Sequence, residues 1–348
     1  MTVYGAIDLH ANNGVAVVLD EHDRVLLQRR LPNRLEEVVS ALAPYRGELK
    51  AVAVESTYNW YWLVDGLQEQ GFPVVLVNTS AVRTYEGLKY AGDEHDARWL
   101  AHLLRLGLLP QAHIYPREQR AVRDLLRKRM QLVQCRTQQV LGVQNLLARN
   151  LGSSTTAHAV KRLDEEQLAS LPVLPEQRLA LAANVAVIQC VQQQLERIEA
   201  EVLRATLASS MAAAYRGLQT VDGIGKVLAL TIALETGDIG RFARVGQFAS
   251  YCRCVGSQWV SNGKTKGRGN TKNGNPFLAW AFIEAANFAI RYNATIKRYY
   301  ERKERRSKHR LVALKAVAHK LARACYFVMR DGVAFDVGRA FGPEAARG

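Results

Sequence analysis

Four carboxylates supply the clearest chemistry in this sequence: Asp8, Glu55, Asp93 and Asp96. Asp93 and Asp96 stand three residues apart at the start of a helical pattern, so they share a face. Acids in a first helical turn also complement the helix dipole, and that reading needs no chemistry. Asp8 and Glu55 differ, because each lies in or at the end of an apolar run, where an unpaired charge is expensive. Hard oxygen ligands placed this way suit Mg²⁺. Two such ions about 4 Å apart can activate a nucleophile and stabilise the leaving oxygen of a phosphodiester. His10 falls on the face of Asp8 by strand alternation, either as its hydrogen-bonded partner or in the metal shell.

The surrounding elements must hold these acids together. Val3 to Leu9, Val15 to Leu19 and Val25 to Leu31 read as strands joined by polar turns. A helical pattern follows, with Leu35, Val38, Val39 and Leu42 on one face. Ala51 to Glu55 and Pro73 to Val77 read as buried strands, separated by a helix over Trp60 to Gln70, with Trp60 and Trp62 in the core. Another helix starts at Asp93. Three hairpin-like strands, then alternating helices and strands, is the order of a ribonuclease-H-like α/β fold. Parallel pairing would bring Asp8 and Glu55 to one edge of the sheet, with the Asp93 helix laid across it.

Charge divides the chain. Its 348 residues carry a formal net charge of +15. Residues 1–116 hold 10 Lys and Arg against 14 Asp and Glu, and residues 117–348 hold 37 against 18. An acidic front and a basic back fit a catalytic module joined to parts that bind a polyanion. Five irregularly spaced cysteines suggest neither a disulfide framework nor a zinc site. Met1 runs directly into a strand pattern, and no apolar run is long enough to span a bilayer. The expected setting is the reducing cytoplasm.

The basic part begins with a long helix over 117–150, where Arg127, Lys128 and Arg129 are candidate nucleic-acid contacts. Residues 152–160 read as a flexible connection. A second long helix over 176–205 carries Leu181, Val185, Ile188, Leu195, Ile198 and Val202 at coiled-coil spacing, interrupted by Gln192. This seam suits either an intramolecular hairpin or a dimer. Gly223, Gly225 and Lys226 then precede an apolar helix. That pattern fits a phosphate-holding helix-hairpin-helix, or a plain tight turn between packed helices. The stretch 257–275 mixes glycines with Lys264, Lys266, Arg268 and Lys272, presenting Ser261 among cations that can favour a serine oxyanion and a pentacovalent phosphate. A plain Ser-Asn-Gly turn is the alternative. Helices follow over 276–292 and 309–330, bracketing the charged run 301–310. The expected domains are 1–116, 117–208 and 209–334, with a loosely ordered tail over 335–348.

Taken together, Gly5-Ala6-Ile7-Asp8-Leu9-His10, Val54-Glu55-Ser56-Thr57-Tyr58-Asn59-Trp60 and Asp93-Glu94-His95-Asp96-Ala97 resemble the front of a DEDD-class transposase of bacterial insertion sequences, related to the Piv DNA invertases. Gly223-Ile224-Gly225, Ser261-Asn262-Gly263-Lys264 and Lys272-Asn273-Gly274-Asn275 resemble its rear. The resemblance implies a Holliday-junction-resolvase-like N-terminal domain with Asp8, Glu55, Asp93 and Asp96 as metal ligands, and a mainly helical C-terminal transposase domain. It also implies a serine nucleophile at Ser261, with Ser257 second. The implied partners are donor and target DNA, a structured non-coding guide RNA and further copies of the chain, as dimers pairing into a tetramer. In such assemblies the acids and the serine come from different subunits. The implied setting is nucleoid-associated. Ser-Asn-Gly stands here where many relatives have Ser-Ser-Gly, a departure that points to a subgroup.

Two other functions fit the residues. A metal-dependent nuclease or junction resolvase would need the four acids and not Ser261. A non-catalytic nucleic-acid-binding protein would need neither.

Overall fold

The computed structural model describes residues 1–82, 92–256, 258–268 and 273–342. The chain divides into two compact units, Met1–Arg117 and Glu118–Gly348.

In the first unit, β1 (Val3–Leu9), β2 (Asn13–Leu19), β3 (Val25–Pro32), β4 (Leu49–Glu55) and β5 (Val74–Val77) form one sheet in the order β3-β2-β1-β4-β5. Short polar turns make β1, β2 and β3 antiparallel neighbours. Helical crossovers make β4 parallel to both β1 and β5. Helices α1 (Leu35–Leu42) and α2 (Tyr61–Glu69) cover one face, where Ile7, Val18, Val52, Val54 and Leu63 are buried. Helix α3 (Asp93–Arg105) covers the other, with Ala97, Leu100 and Ala101 against Ala6, Val15, Val17 and Ala53. Burial on both faces explains why these strands read as continuous apolar runs.

Both ends of α3 are tied down. At its C-terminal end, His102 Nδ1 and Arg105 Nε meet Asp23 Oδ1 in the β2–β3 turn at 2.9 and 2.8 Å. At its N-terminal end, Gln28 and Arg30 of β3 donate to Glu94 and Asp93, both at 2.7 Å.

Among its described residues, the second unit is helical apart from one hairpin. Its long helices α4 (Arg117–Leu151) and α7 (Pro175–Leu207) are joined through α5 (Ala157–Val160) and α6 (Glu165–Ser170). The expected flexible connection over 152–160 is therefore partly folded: α5 ends it, and Val160 is buried with Val143, Leu147, Leu181 and Ile188. The seam of α7 packs within its own chain as a helical hairpin. Gln192, the polar interruption, accepts a hydrogen bond from Arg136 of α4.

Helix α8 (Ala212–Leu218) leads to α9 (Lys226–Thr236), which is buried from Leu228 onward. Around α9 lie α10 (Val245–Tyr251), α11 (Pro276–Tyr292), α12 (Ala294–Ser307), α13 (Arg310–Asp331) and α14 (Val337–Phe341). Leu126 of α4 and Val202 of α7 join the same apolar cluster as α9, α11 and α13, so the long helices are not set apart from the C-terminal helices. Two sequence expectations change here. The charged run from residue 301 is largely the end of α12. The segment expected as a loose tail includes α14, whose Phe341 is buried against Tyr299.

Candidate active site

The first site is built at the C-terminal edge of the sheet. Ile7 of β1 pairs with Val54 of β4, so the next residues, Asp8 and Glu55, emerge side by side. Strand alternation sends both to the face covered by α3, along with Ala6 and Ala53. Asp8 is buried at 4% exposure. Asp93 opens α3, whose N-cap is the extended Gly92 with no side-chain cap. His10 Nε2 lies 3.4 Å from Asp8 Oδ2 and 3.2 Å from Asp93 Oδ2. Its backbone carbonyl accepts from the side-chain amides of Asn33 and Asn59, each at 3.0 Å.

Ligand atoms of Asp8, His10 and Asp93 all lie within 4.8 Å of one another. His10 Nε2 is buried and has no hydrogen-bond partner despite the two nearby carboxylates. A buried nitrogen left over between two carboxylate oxygens is what a divalent cation would satisfy, and two hard oxygens with one imidazole form a suitable donor set. The residues present therefore fit a divalent metal.

Electrostatics mark the same place. Burial pushes the Glu55 carboxyl up to about 8, helped by its hydrogen bond with Asp8 and the charges of Asp8 and Asp96. Asp93 moves the other way: the Arg30 hydrogen bond outweighs desolvation, and the charges of His10 and Arg30 add to it. Arg30 is itself held by Asn13 Oδ1 at 2.7 Å. Asp96 is exposed one turn along α3 and acts on Glu55 through its field. Of the four expected acids, Asp8 and Asp93 share the three-ligand group, Glu55 adjoins Asp8 at the sheet edge, and Asp96 lies one turn along α3 from Asp93. The sequence left His10's part open, and nothing in it singled out Arg30.

Among its described residues, the serine stretch is built around the Ser-Asn-Gly turn that was the alternative reading. Strands β6 (Gln258–Ser261) and β7 (Lys264–Arg268) pair as an antiparallel hairpin. Asn262 and Gly263 close it with φ of 49° and 70°, the two positive angles of a type I′ turn. Ser261 pairs with Lys264 next to that turn, and Ser261, Lys264 and Lys266 are exposed. Arg268 ends β7. Ser257 and Lys272 lie outside the described residues.

The remaining expected contacts divide. Gly223 has φ of 86°, and a Cβ there would come within 2.3 Å of the Ala285 carbonyl oxygen. Close packing on α11 therefore requires this glycine. Gly225 is the N-cap of α9, and Lys226 is exposed beside it. Arg127 and Arg129, expected to face nucleic acid, are instead tied within the fold. Arg127 makes two hydrogen bonds to the buried Glu235, at 2.6 and 2.7 Å, and lies over the Phe277 ring. Arg129 bonds Glu199 at 2.6 Å. Lys128 alone of the three is exposed. The five cysteines are free thiols. Among the described residues, no helix is long and apolar enough to cross a membrane.

Known proteins match both units. Residues 6–151 match a DEDD-type IS110 family model described as "Transposase". Residues 215–301 match one described as "Transposase IS116/IS110/IS902 family". The chain is 26% identical over 289 residues to the "Probable family 20 transposase" of Pseudomonas aeruginosa, spanning 78% of this chain and 80% of that one. It is 28% identical over 283 residues to the "Transposase for insertion sequence element IS1111A" of Coxiella burnetii, spanning 79% of this chain and 74% of that one.

Proposed function

Because this chain belongs to the IS110/IS116/IS902 transposases of insertion sequences, enzymes that act on DNA, we propose that it excises and inserts its element by strand exchange through a covalent serine intermediate, guided by a structured non-coding RNA. The observation that carries the reading is the Asp8–His10–Asp93 group, with Glu55 at the neighbouring strand end beside Asp8. We read the sheet that holds it as ribonuclease-H-like, and the glycine turn before α9 as a helix-hairpin-helix.

Asp8, Glu55, Asp93 and Asp96, joined by His10, would hold the metal, in our reading two Mg²⁺ ions. When bound, such ions polarise phosphate oxygens and ease loss of the leaving oxygen. Ser261 Oγ attacks a DNA phosphorus. The Oγ–P bond forms, one P–O ester bond breaks, and the proton leaving serine is matched by one delivered through solvent to the departing deoxyribose oxygen, which is released as a hydroxyl. A second deoxyribose hydroxyl then attacks the phosphoserine, restoring both the serine and a phosphodiester. The bond energy is conserved, so no external energy source is needed. Lys264, paired with Ser261, and Lys266, further along the same strand, would offset charge developing on the phosphate. Lys128, Lys226, Arg268 and Lys272 would add contacts to the backbone, in a nucleoid-associated dimer or tetramer.

The test is to purify the chain from cells carrying the element, sequence the RNA that accompanies it, and assay strand exchange with element-end DNA and Mg²⁺. One enriched element RNA, with exchange lost in both Asp8→Ala and Ser261→Ala, supports the reading. Cleavage that persists in Ser261→Ala overturns it in favour of a hydrolytic nuclease.

A further inference from the structure

Away from the serine hairpin, a groove of about 620 Å³ lies between the glycine turn Val221–Lys226 and the last turns of α11. Its walls are fixed to each other. Gly223 packs onto the backbone of Ala285 and Ala289. Asn293, which follows α11, donates to Asp222 Oδ2 at 2.7 Å. The groove is therefore built into the fold.

Two aromatic side chains line this groove without being buried. Phe288 is 42% exposed and Tyr292 is 73% exposed. They stand one turn apart on α11, their ring planes within 5° and their centroids 6.4 Å apart. A single exposed aromatic needs no explanation, but two parallel rings over a preformed groove offer a stacking platform. Unpaired bases can use such faces, whereas bases inside a duplex are already stacked. One cation lines the same groove: Lys226, which is exposed. Asp222 also lines the groove, with its Oδ2 taken by Asn293. It would repel a phosphate but can accept a hydrogen bond from a ribose 2′-hydroxyl, which deoxyribose lacks.

We propose that this groove binds an unpaired segment of RNA, with bases on Phe288 and Tyr292, a phosphate beside Lys226 and a ribose hydroxyl on Asp222. The assignment deepens the RNA part of the proposed function and requires neither Ser261 nor the metal site.

The experiment measures binding of a fluorescein-labelled, unstructured RNA of about 12 nucleotides to the full chain by anisotropy at several salt concentrations. Phe288→Ala with Tyr292→Ala should weaken binding about tenfold or more while leaving its salt dependence unchanged. Tyr292→Phe should keep most of the affinity. Lys226→Gln should lower the salt slope by about one. DNA of the same sequence should bind more weakly. Unchanged affinity in the double aromatic variant overturns the proposal, as does DNA binding as tight as RNA. A change in oligomeric mass without loss of RNA affinity also overturns it, assigning the rings to contact between copies. Loss of RNA binding in the aromatic variant, with strand exchange absent from the parent, would leave this site standing while the recombinase reading fails.

Discussion

The strongest electrostatic perturbation in the N-terminal unit makes its stability respond to pH and metal together. Burial, the Asp8 hydrogen bond and the charges of Asp8 and Asp96 raise Glu55 from 4.5 to about 8. In the unfolded chain Glu55 ionises near its ordinary value. Between those two pH values the folded state holds a proton that the unfolded state has lost. Stability is therefore fully present below about pH 4.5 and declines as pH rises toward 8. The full displacement would correspond to about 5 kcal/mol. Glu55 is only half-buried, and solvent screening reduces the expected effect to about 1–2 kcal/mol. For a unit of this size that is a fall of roughly 4–8 °C in melting temperature between pH 5 and 8.5. Glu55→Gln should abolish this component, and the difference between the two proteins isolates it from other titrating groups. A divalent metal held as proposed would displace the proton, so Mg²⁺ should raise the melting temperature most at pH 8.5, by about 2.7 kcal/mol of stabilisation at a hundredfold excess over Kd. Asp8→Asn should lose the metal response and retain a weaker pH slope, because burial of Glu55 remains. Thermal melts across pH, with and without Mg²⁺, provide the assay. Equal pH slopes in the parent and Glu55→Gln, or an intact metal response in Asp8→Asn, would refute the reasoning.

Three further predictions concern the second unit. Gly223→Ala should destabilise it by at least about 2 kcal/mol in urea unfolding, since the new Cβ meets backbone atoms at a positive φ. Arg127→Met should cost about 3 kcal/mol by leaving Glu235 buried without its cation, and adding Glu235→Gln should recover most of that. Gly263→Val should fray the hairpin, because φ of 70° strains a β-branched residue, whereas Asn262→Gly should preserve it; amide exchange of Lys264 to Lys266 measures the difference.

Much of the acid site was legible because its grammar is local. Asp8 and Glu55 end apolar runs, and parallel pairing carries the two ends to one edge. Asp93 and Asp96 announce a helix start. His10 was visible through alternation, but its place between Asp8 and Asp93 depends on where α3 lands. Arg30 depends on the same packing. The Ser-Asn-Gly turn was legible as an alternative, but the strands on either side of it were not, because its flanks lack apolar alternation and glycines dilute the strand pattern. Arg127 and Arg129 were misread for a different reason. A run of cations does not reveal which are matched by carboxylates, and Glu235 and Glu199 lie 108 and 70 residues away. The apolar spacing of α7 pointed to a packed face, and Leu181, Val185 and Ile188 pack against Val140, Val143 and Leu147 of α4.

The most direct test of the central claim is mass mapping of the protein after reaction with element-end DNA, Mg²⁺ and the accompanying RNA, followed by nuclease digestion. The account predicts a nucleotide remnant on Ser261, absent from Ser261→Ala and from Asp8→Asn. Cleaved DNA with no remnant on any serine, or a remnant formed equally well in Asp8→Asn, would contradict it.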